Sequence, residues 1–173
     1  MVNDAATGAL VPFDFEQIKD NVPELARLNY QLSVHSFTPI IDSSNMHPGH
    51  WNFIAELIRD NYEEFDGFVI LHGSDTMSFT ASALSFMLKN LAKPVILTGS
   101  QLPIGEIRTD AKENLITALE IAATKAHGKA VVPEVCIYFD NQLFRGNRSI
   151  KFNTEKFEAF RSPNYPILAE AGI

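Results

Sequence analysis

Three short apolar runs, separated by helical patterns, constrain the fold of this chain more than any other feature. They are "GFVILHG" at 67–73, "PVILTG" at 94–99 and "EVCIYF" at 134–139. Each run lacks polar alternation, which is typical of a strand covered on both faces. Strand, helix, strand, helix, strand at this spacing predicts a parallel sheet with helices on both faces.

The segments between and before these runs supply the remaining elements. Helical spacing of apolar residues predicts helices over 51–62, 77–91 and 108–126. A further helical pattern covers 15–28, where Pro23 is expected to interrupt or restart it. The alternation in "YQLSVHSF", 30–37, predicts a strand.

Length, charge and composition exclude several classes of protein. A chain of 173 residues with 46% apolar residues suits one packed domain. Its net charge of −7 argues against a nucleic-acid surface, which needs clustered basic residues. The N-terminus does not read as a signal peptide, and no apolar run is long enough for a membrane span. The single cysteine, Cys136, lies in an apolar run and fits a buried core thiol in a reducing compartment.

Polar turns follow two of the apolar runs, at the point where each predicted strand ends. Ser74–Thr76 follows the first run, and Thr98–Gln101 closes the second. Ligands bind beyond the carboxyl ends of strands in such sheets, so paired strands would bring both turns to one crevice. Ser, Asp and Thr are also preferred helix caps, and the two roles are compatible.

A third polar turn, Asp42–Asn45, lies in "IIDSSNMHPGHW" and precedes a helix start. It is either local turn chemistry or a set of hydroxyl donors for a carboxylate. His47 and His50 have no third ligand at a convincing spacing, so we expect no metal site. His72 lies beside the Ser-Asp pair but is a weak candidate for a base, because triads are set by geometry.

A basic cluster follows the third run and contains Arg145, Arg148 and Lys151. Such a cluster is usually a solvated face. The alternative is that one cation reaches Ser74 and Asp75, where a partly desolvated lysine can accept a proton from a hydroxyl.

Taken together, these segments resemble a known family. "DSSNMHPGHW", "DGFVILHGSDTM", "SALSFMLKNLAKPVILTGSQLPIGEIRTDAKENLITALEIA" and "YFDNQLFRGNR" are similar to the amino-terminal domain of bacterial type I L-asparaginases, essentially from Met1 to Ile173. The resemblance implies a three-layer α/β sandwich with a mostly parallel sheet. It also implies hydrolysis of L-asparagine to L-aspartate and ammonia through an acyl-enzyme, without cofactor or metal. The implied protein is a cytoplasmic homodimer or homotetramer.

The resemblance also implies roles for particular residues. The family's "HGTDTM" motif appears here as "HGSDTM", so Ser74 stands where the family has a catalytic threonine and Asp75 is its paired aspartate. Lys151 matches the lysine that completes this triad, and Asp75 also binds the α-ammonium of the substrate. Ser43 matches a residue that binds the α-carboxylate, with Ser44 beside it.

Several features depart from the family pattern. Serine keeps the hydroxyl of threonine but has more χ1 freedom, so we expect a slower enzyme at this step. Ile150 replaces a threonine that relatives often carry before Lys151, which puts effector regulation in doubt. The family's "TGGTIG" motif, which carries its primary nucleophile, is absent, and Thr7 does not replace it. The family also continues into a carboxy-terminal domain.

We therefore expect 1–173 to be an amino-terminal domain incomplete at its start, taken from a longer protein and inactive alone. An uncovered sheet edge should make such a fragment unstable or sticky. Three other functions remain open: a glutaminase, the amidase subunit of a tRNA-dependent amidotransferase, or a non-catalytic amino-acid-binding module.

Overall fold

The computed structural model describes residues 2–3, 10–11, 18 and 21–172, with side chains at 18 and 21–172. Its strands, in chain order, are β1 Val2–Asn3, β2 Leu10–Val11, β3 Phe68–Leu71, β4 Val95–Thr98, β5 Lys125–Ala126, β6 Lys129–Ala130, β7 Val135–Phe139, β8 Gln142–Arg145, β9 Ile150–Lys151, β10 Phe160–Arg161 and β11 Ala169–Glu170. Its α-helices are α1 Pro48–Asp60, α2 Met77–Met87 and α3 Ala111–Ala123. Short 3₁₀ turns cover Pro23–Arg27, Ser43–Asn45 and Gly146–Arg148.

The central sheet has the strand order β11-β8-β7-β4-β3. β3, β4 and β7 run parallel, with Leu71 opposite Thr98 and Val95 opposite Val135. β8 returns antiparallel to β7 through a two-residue turn at Asp140 and Asn141, both with positive φ. Asp and Asn tolerate that conformation, which matches the twist of a tight hairpin.

Alternate residues of the buried strands face opposite layers. Val95 and Leu97 pack with Ile54 of α1 and Leu84 of α2, on one face of the sheet. On the other face, Ile96 packs with Ala118 and Ala122 of α3, as does Cys136. The predicted sandwich of helices on both faces of a mostly parallel sheet is confirmed.

Sequence periodicity located α1, α2 and α3 but carried each of them past its end. The helix predicted over 51–62 begins at Pro48 and ends at Asp60. The helix predicted over 77–91 ends at Met87, and Asn90 has a positive φ. The helix predicted over 108–126 begins at Ala111 and ends at Ala123. Near the start of the chain, Ile18 and Asn21 are helical and a 3₁₀ turn begins at Pro23, so the predicted interruption is confirmed; Phe15 lies outside the described residues.

Three predictions about strands were wrong. Residues 30–37 form no strand, because alternation of side chains does not supply the hydrogen-bonded neighbour that a strand requires. β3 is only half-buried, since it pairs with β4 alone in the sheet of the described residues, whereas β4 and β7 are fully buried. The segment after β7, where the sequence predicts only a basic cluster, contains the strand β8, with Leu143 and Phe144 buried.

Candidate active site

The parallel pairing of β3 and β4 brings the two polar turns together. The Ser74 hydroxyl after β3 donates a hydrogen bond to Oε1 of Gln101, which follows β4, at 3.0 Å. Glycine is required at the close approach, since a Cβ on Gly99 would lie 2.2 Å from the carbonyl oxygen of His72. The prediction that both turns share one edge of the sheet is confirmed.

Lys151 of β9 completes this cluster from a distant part of the chain. Its Nζ lies 2.8 Å from Oγ of Ser74 and 2.7 Å from Oδ1 of Asp75. The Lys151 side chain is 12% exposed, whereas that of Asp75 is 68% exposed. The ammonium is therefore held largely inside the protein, while the carboxylate keeps a face open to solvent.

Of the three basic candidates, only Lys151 has a contact of this kind among the described residues. Arg145 instead forms a bidentate pair with Glu134, at 2.6 and 3.1 Å. Its guanidinium also lies over the ring of Tyr165. The structure thus adopts the alternative in which one cation of the basic cluster, Lys151, reaches Ser74 and Asp75.

Ser43 lies against the same turn, but Ser44 does not. A Cβ on Gly73 would fall 2.4 Å from Ser43 Oγ, so glycine at 73 lets Ser43 approach. The Thr76 hydroxyl donates to the carbonyl of Ser43 at 2.7 Å. Ser44 is exposed, and both its backbone N–H and its hydroxyl donate to Asp42, each at 2.9 Å. These two bonds lower the pKa of the Asp42 carboxyl.

Two further residues hold the turn that carries Gln101. The Asp110 carboxylate accepts hydrogen bonds from the backbone N–H groups of Gln101 and Leu102. The buried Asn114 amide donates to the carbonyl of Gly99 and to Asp110, and its oxygen accepts from the N–H of Asp140. Asn114 thereby ties the turn after β4 to the hairpin after β7.

His72 does not form a triad with Ser74 and Asp75. Its Nδ1 donates to the carbonyl of Gly73 at 2.7 Å, and its Nε2 lies 2.9 Å from the Thr80 hydroxyl. The indole N–H of Trp51 also donates to Thr80. Burial lowers the pKa of His72, which favours a neutral ring in this role.

His47 and His50 belong to a helix cap. His47 is the N-cap of α1 and accepts from the N–H of Gly49, while His50 accepts from the N–H of His47. Partial desolvation lowers the pKa of His50, and the neighbouring His47 lowers it further. Among the residues that the structure describes, no three His, Cys, Asp or Glu side chains are grouped to hold a metal ion.

A cavity of about 510 Å³ opens beside the cluster. Asp75 and Lys151 line it, together with Phe79 of α2 and residues 149–154. Ser74 does not line this cavity, so the carboxylate and the ammonium are the groups of the cluster that it exposes. Elsewhere in the sheet, Cys136 is buried, and burial raises the pKa of its thiol, which removes it as a nucleophile.

The cluster places an amine next to a hydroxyl. In the arrangement seen, Lys151 donates to Ser74, and Ser74 in turn donates to Gln101. After losing a proton, the Lys151 amine would lie within reach of the Ser74 proton, as a base must. Asp75 offers the negative charge that keeps Lys151 in place and can attract a cationic ligand from solvent.

The profile of the family described as "Asparaginase, N-terminal" matches residues 1–173. The chain belongs to the asparaginase family. L-asparaginase 1 of Escherichia coli strain K12 is 54% identical over 141 residues, which cover 82% of this chain and 40% of that protein. An L-asparaginase I structure from Vibrio cholerae has a TM-score of 0.83 and 48% identity, covering 95% of this chain and 48% of that one.

A more distant relative has a different name. A glutamyl-tRNA(Gln) amidotransferase subunit of Methanopyrus kandleri is 38% identical over 169 residues, covering 92% of this chain and 36% of that protein. The chain thus spans less than half the length of each of these relatives. The resemblance to the asparaginase amino-terminal domain and its fold are confirmed by these matches.

Sequence reasoning named Gln101 only as a turn residue and overlooked Asp110 and Asn114. The rule that placed Ser74 at the sheet edge applies equally to the residues after β4, so Gln101 could have been found. Asp110 directly precedes α3 and Asn114 lies near its start, where local sequence patterns suggest only a role in capping the helix. Their bonds to other turns come from the tertiary fold.

Proposed function

We propose that the protein containing this chain hydrolyses L-asparagine to L-aspartate and ammonia, with Ser74, Asp75 and Lys151 as catalytic residues. The observation that carries this proposal is the position of Lys151, 2.8 Å from the Ser74 hydroxyl and 2.7 Å from Asp75. The 54% sequence identity to L-asparaginase 1 of Escherichia coli, over 82% of this chain, supports L-asparagine as the substrate.

Each residue has a role that follows from its contacts. Deprotonated Lys151 accepts the proton of the Ser74 hydroxyl, and the Ser74 oxygen attacks the side-chain amide carbon. Lys151 passes that proton to the amide nitrogen, the C–N bond breaks, and ammonia leaves an acyl-enzyme. Water, losing a proton to Lys151, then attacks the ester, and aspartate leaves as the proton returns to Ser74. Asp75 keeps Lys151 oriented and, because its side chain is 68% exposed, receives the α-ammonium of the substrate.

Ser43 and Ser44 are proposed to bind the α-carboxylate. Ser43 is 8% exposed and lies against Gly73, next to the Ser74–Asp75 pair, so its position supports this role. The Ser44 hydroxyl already donates a hydrogen bond to Asp42. To bind the substrate, it must either break this bond or accept a hydrogen bond from the substrate while it continues to donate to Asp42. Ser43→Ala should therefore raise KM more than Ser44→Ala.

The chemistry assigned to these residues needs no cofactor or metal. The described residues include no helix long and apolar enough to cross a membrane. The family resemblance supports a further proposal, that the protein is a cytoplasmic homodimer or homotetramer, and its net charge of −7 argues against a nucleic-acid partner. Size-exclusion chromatography with light scattering tests the assembly.

The test is ammonia release by the purified protein, whose intact mass is measured first. Lys151→Met should lower kcat by about 10²–10⁴-fold, because it removes the general base. Lys129→Met is the matched control, since Lys129 is exposed in the β5–β6 hairpin and away from the cluster. An enzyme whose kcat is unchanged by Lys151→Met would exclude this assignment of roles.

The relative named as an amidotransferase supports one alternative, an amidase that acts on glutamine. Parallel assays with asparagine and glutamine, with and without glutamyl-tRNA, separate the two. Release of ammonia from asparagine but not from glutamine supports the asparaginase proposal. Ammonia from glutamine only in the presence of glutamyl-tRNA supports the alternative. Binding of aspartate without turnover of any amide supports a non-catalytic amino-acid-binding module instead.

A further inference from the structure

Ser74 is held by two hydrogen bonds of opposite direction. Its oxygen accepts from Lys151 at 2.8 Å, and its proton is donated to Gln101 Oε1 at 3.0 Å. One donor and one acceptor fix both the position of the oxygen and the direction of its proton. A lone serine would otherwise move between χ1 rotamers more freely than a β-branched threonine.

Hydrogen bonds hold both the backbone and the side chain of Gln101. Its backbone N–H donates to the Asp110 carboxylate at 2.9 and 3.1 Å. Its side-chain Nε2 donates to the carbonyl of Lys156 at 3.0 Å. The amide therefore presents its oxygen, and not its NH₂ group, to Ser74.

We propose that Gln101 is a positioning residue for the Ser74 hydroxyl and supplies the restraint that a threonine methyl would give at position 74. This inference rests on the proposed function, because it assigns Gln101 to the same catalytic cluster. Gln101 acts through Ser74 and need not touch the substrate. It also sets the direction of the proton, which must turn from Gln101 toward Lys151 before transfer.

The test is a double-mutant cycle that combines Gln101→Met with Ser74→Thr. Methionine is close in length to glutamine but offers no comparable acceptor. We expect Gln101→Met to lower kcat about tenfold with KM within about threefold, because the restraint acts on the reacting oxygen and not on substrate binding. In the Ser74→Thr background the same change should lower kcat by less than about threefold, since threonine is stiff at χ1.

Two companion variants keep the result interpretable. Gln101→Glu retains an acceptor oxygen of the same reach and should keep more activity than Gln101→Met. Leu102→Met, in the same turn, changes an exposed side chain by a volume-conserving swap and should leave kcat and the melting temperature unchanged. Two results would overturn the proposal. In the first, Gln101→Met lowers kcat by the same factor whether residue 74 is serine or threonine. In the second, Gln101→Met raises KM while kcat stays constant.

A crystal structure of the Gln101→Met protein separates this inference from the proposed function. The Ser74 χ1 rotamer does not depend on turnover, so it can be compared even if the protein hydrolyses no amide. We expect one rotamer in the parent protein and more than one in Gln101→Met. One unchanged rotamer in both would refute the positioning role, whereas absence of amide hydrolysis with the expected rotamers would refute only the proposed function.

Discussion

Gly99 lies just after β4, against the backbone of His72 just after β3, and Gly99→Ala should lower both the stability of the fold and the activity of the site. The added Cβ would lie 2.2 Å from the His72 carbonyl oxygen, whereas Cβ contacts below 3.0 Å are essentially never seen. The strand ends must separate by roughly 0.8 Å, the difference between those distances. The clash involves backbone, so no side-chain rotation can relieve it.

The magnitude follows from two contributions. Overpacking of this kind costs about 1–3 kcal/mol. The His72 N–H donates to the Thr98 carbonyl at 2.9 Å beside the clash, and weakening it adds about 1 kcal/mol. We therefore expect the free energy of unfolding to fall by about 2–4 kcal/mol. Because Ser74 follows His72 closely, kcat should also fall, by up to about 10²-fold for a misplacement near 1 Å.

The assay is urea unfolding followed by the fluorescence of Trp51, whose indole bonds to Thr80 between α1 and α2. Gly105→Ala is the matched control, because nothing lies within 4 Å of a Cβ there, and it should change stability by less than about 0.5 kcal/mol. Equal unfolding midpoints and slopes for the two variants would refute the argument that close approach requires glycine at 99.

Three further predictions concern two groups near the site and one in the core. Asp110→Ala should lower the free energy of unfolding by about 2–3 kcal/mol, since its carboxylate accepts from the N–H groups of Gln101 and Leu102; a loss below about 0.5 kcal/mol in urea unfolding would contradict this. Burial lowers the pKa of His72, so the unfolded state takes up its proton first and stability should fall as pH drops below about 6.5, the ordinary pKa of histidine; His72→Asn should flatten that dependence in unfolding curves between about pH 5 and 7. The buried Cys136 should resist a thiol reagent in the native protein and react on unfolding, as followed by peptide mass, and rapid native labelling would contradict its burial.

The sequence by itself determined the fold class and the edge of the sheet at which the site lies. Apolar runs, helical spacing and turn residues are local signals, so they predicted β4, β7 and the three α-helices. The same signals placed Ser74 and Asp75 after a strand end. Local pattern failed at 30–37, because a strand also depends on a neighbour that the segment itself does not contain.

Only the tertiary structure decided which side chains complete the site. Lys151 and Asp75 are 76 residues apart in sequence, and local pattern did not distinguish Lys151 from Arg145, so that only the family resemblance named Lys151 in advance. The same is true of Ser43, which approaches Gly73, and of Ser44, which turns to Asp42. These choices depend on how β9 and the turn at 42–45 pack against the strand ends, and such long-range contacts have no local periodicity to predict them.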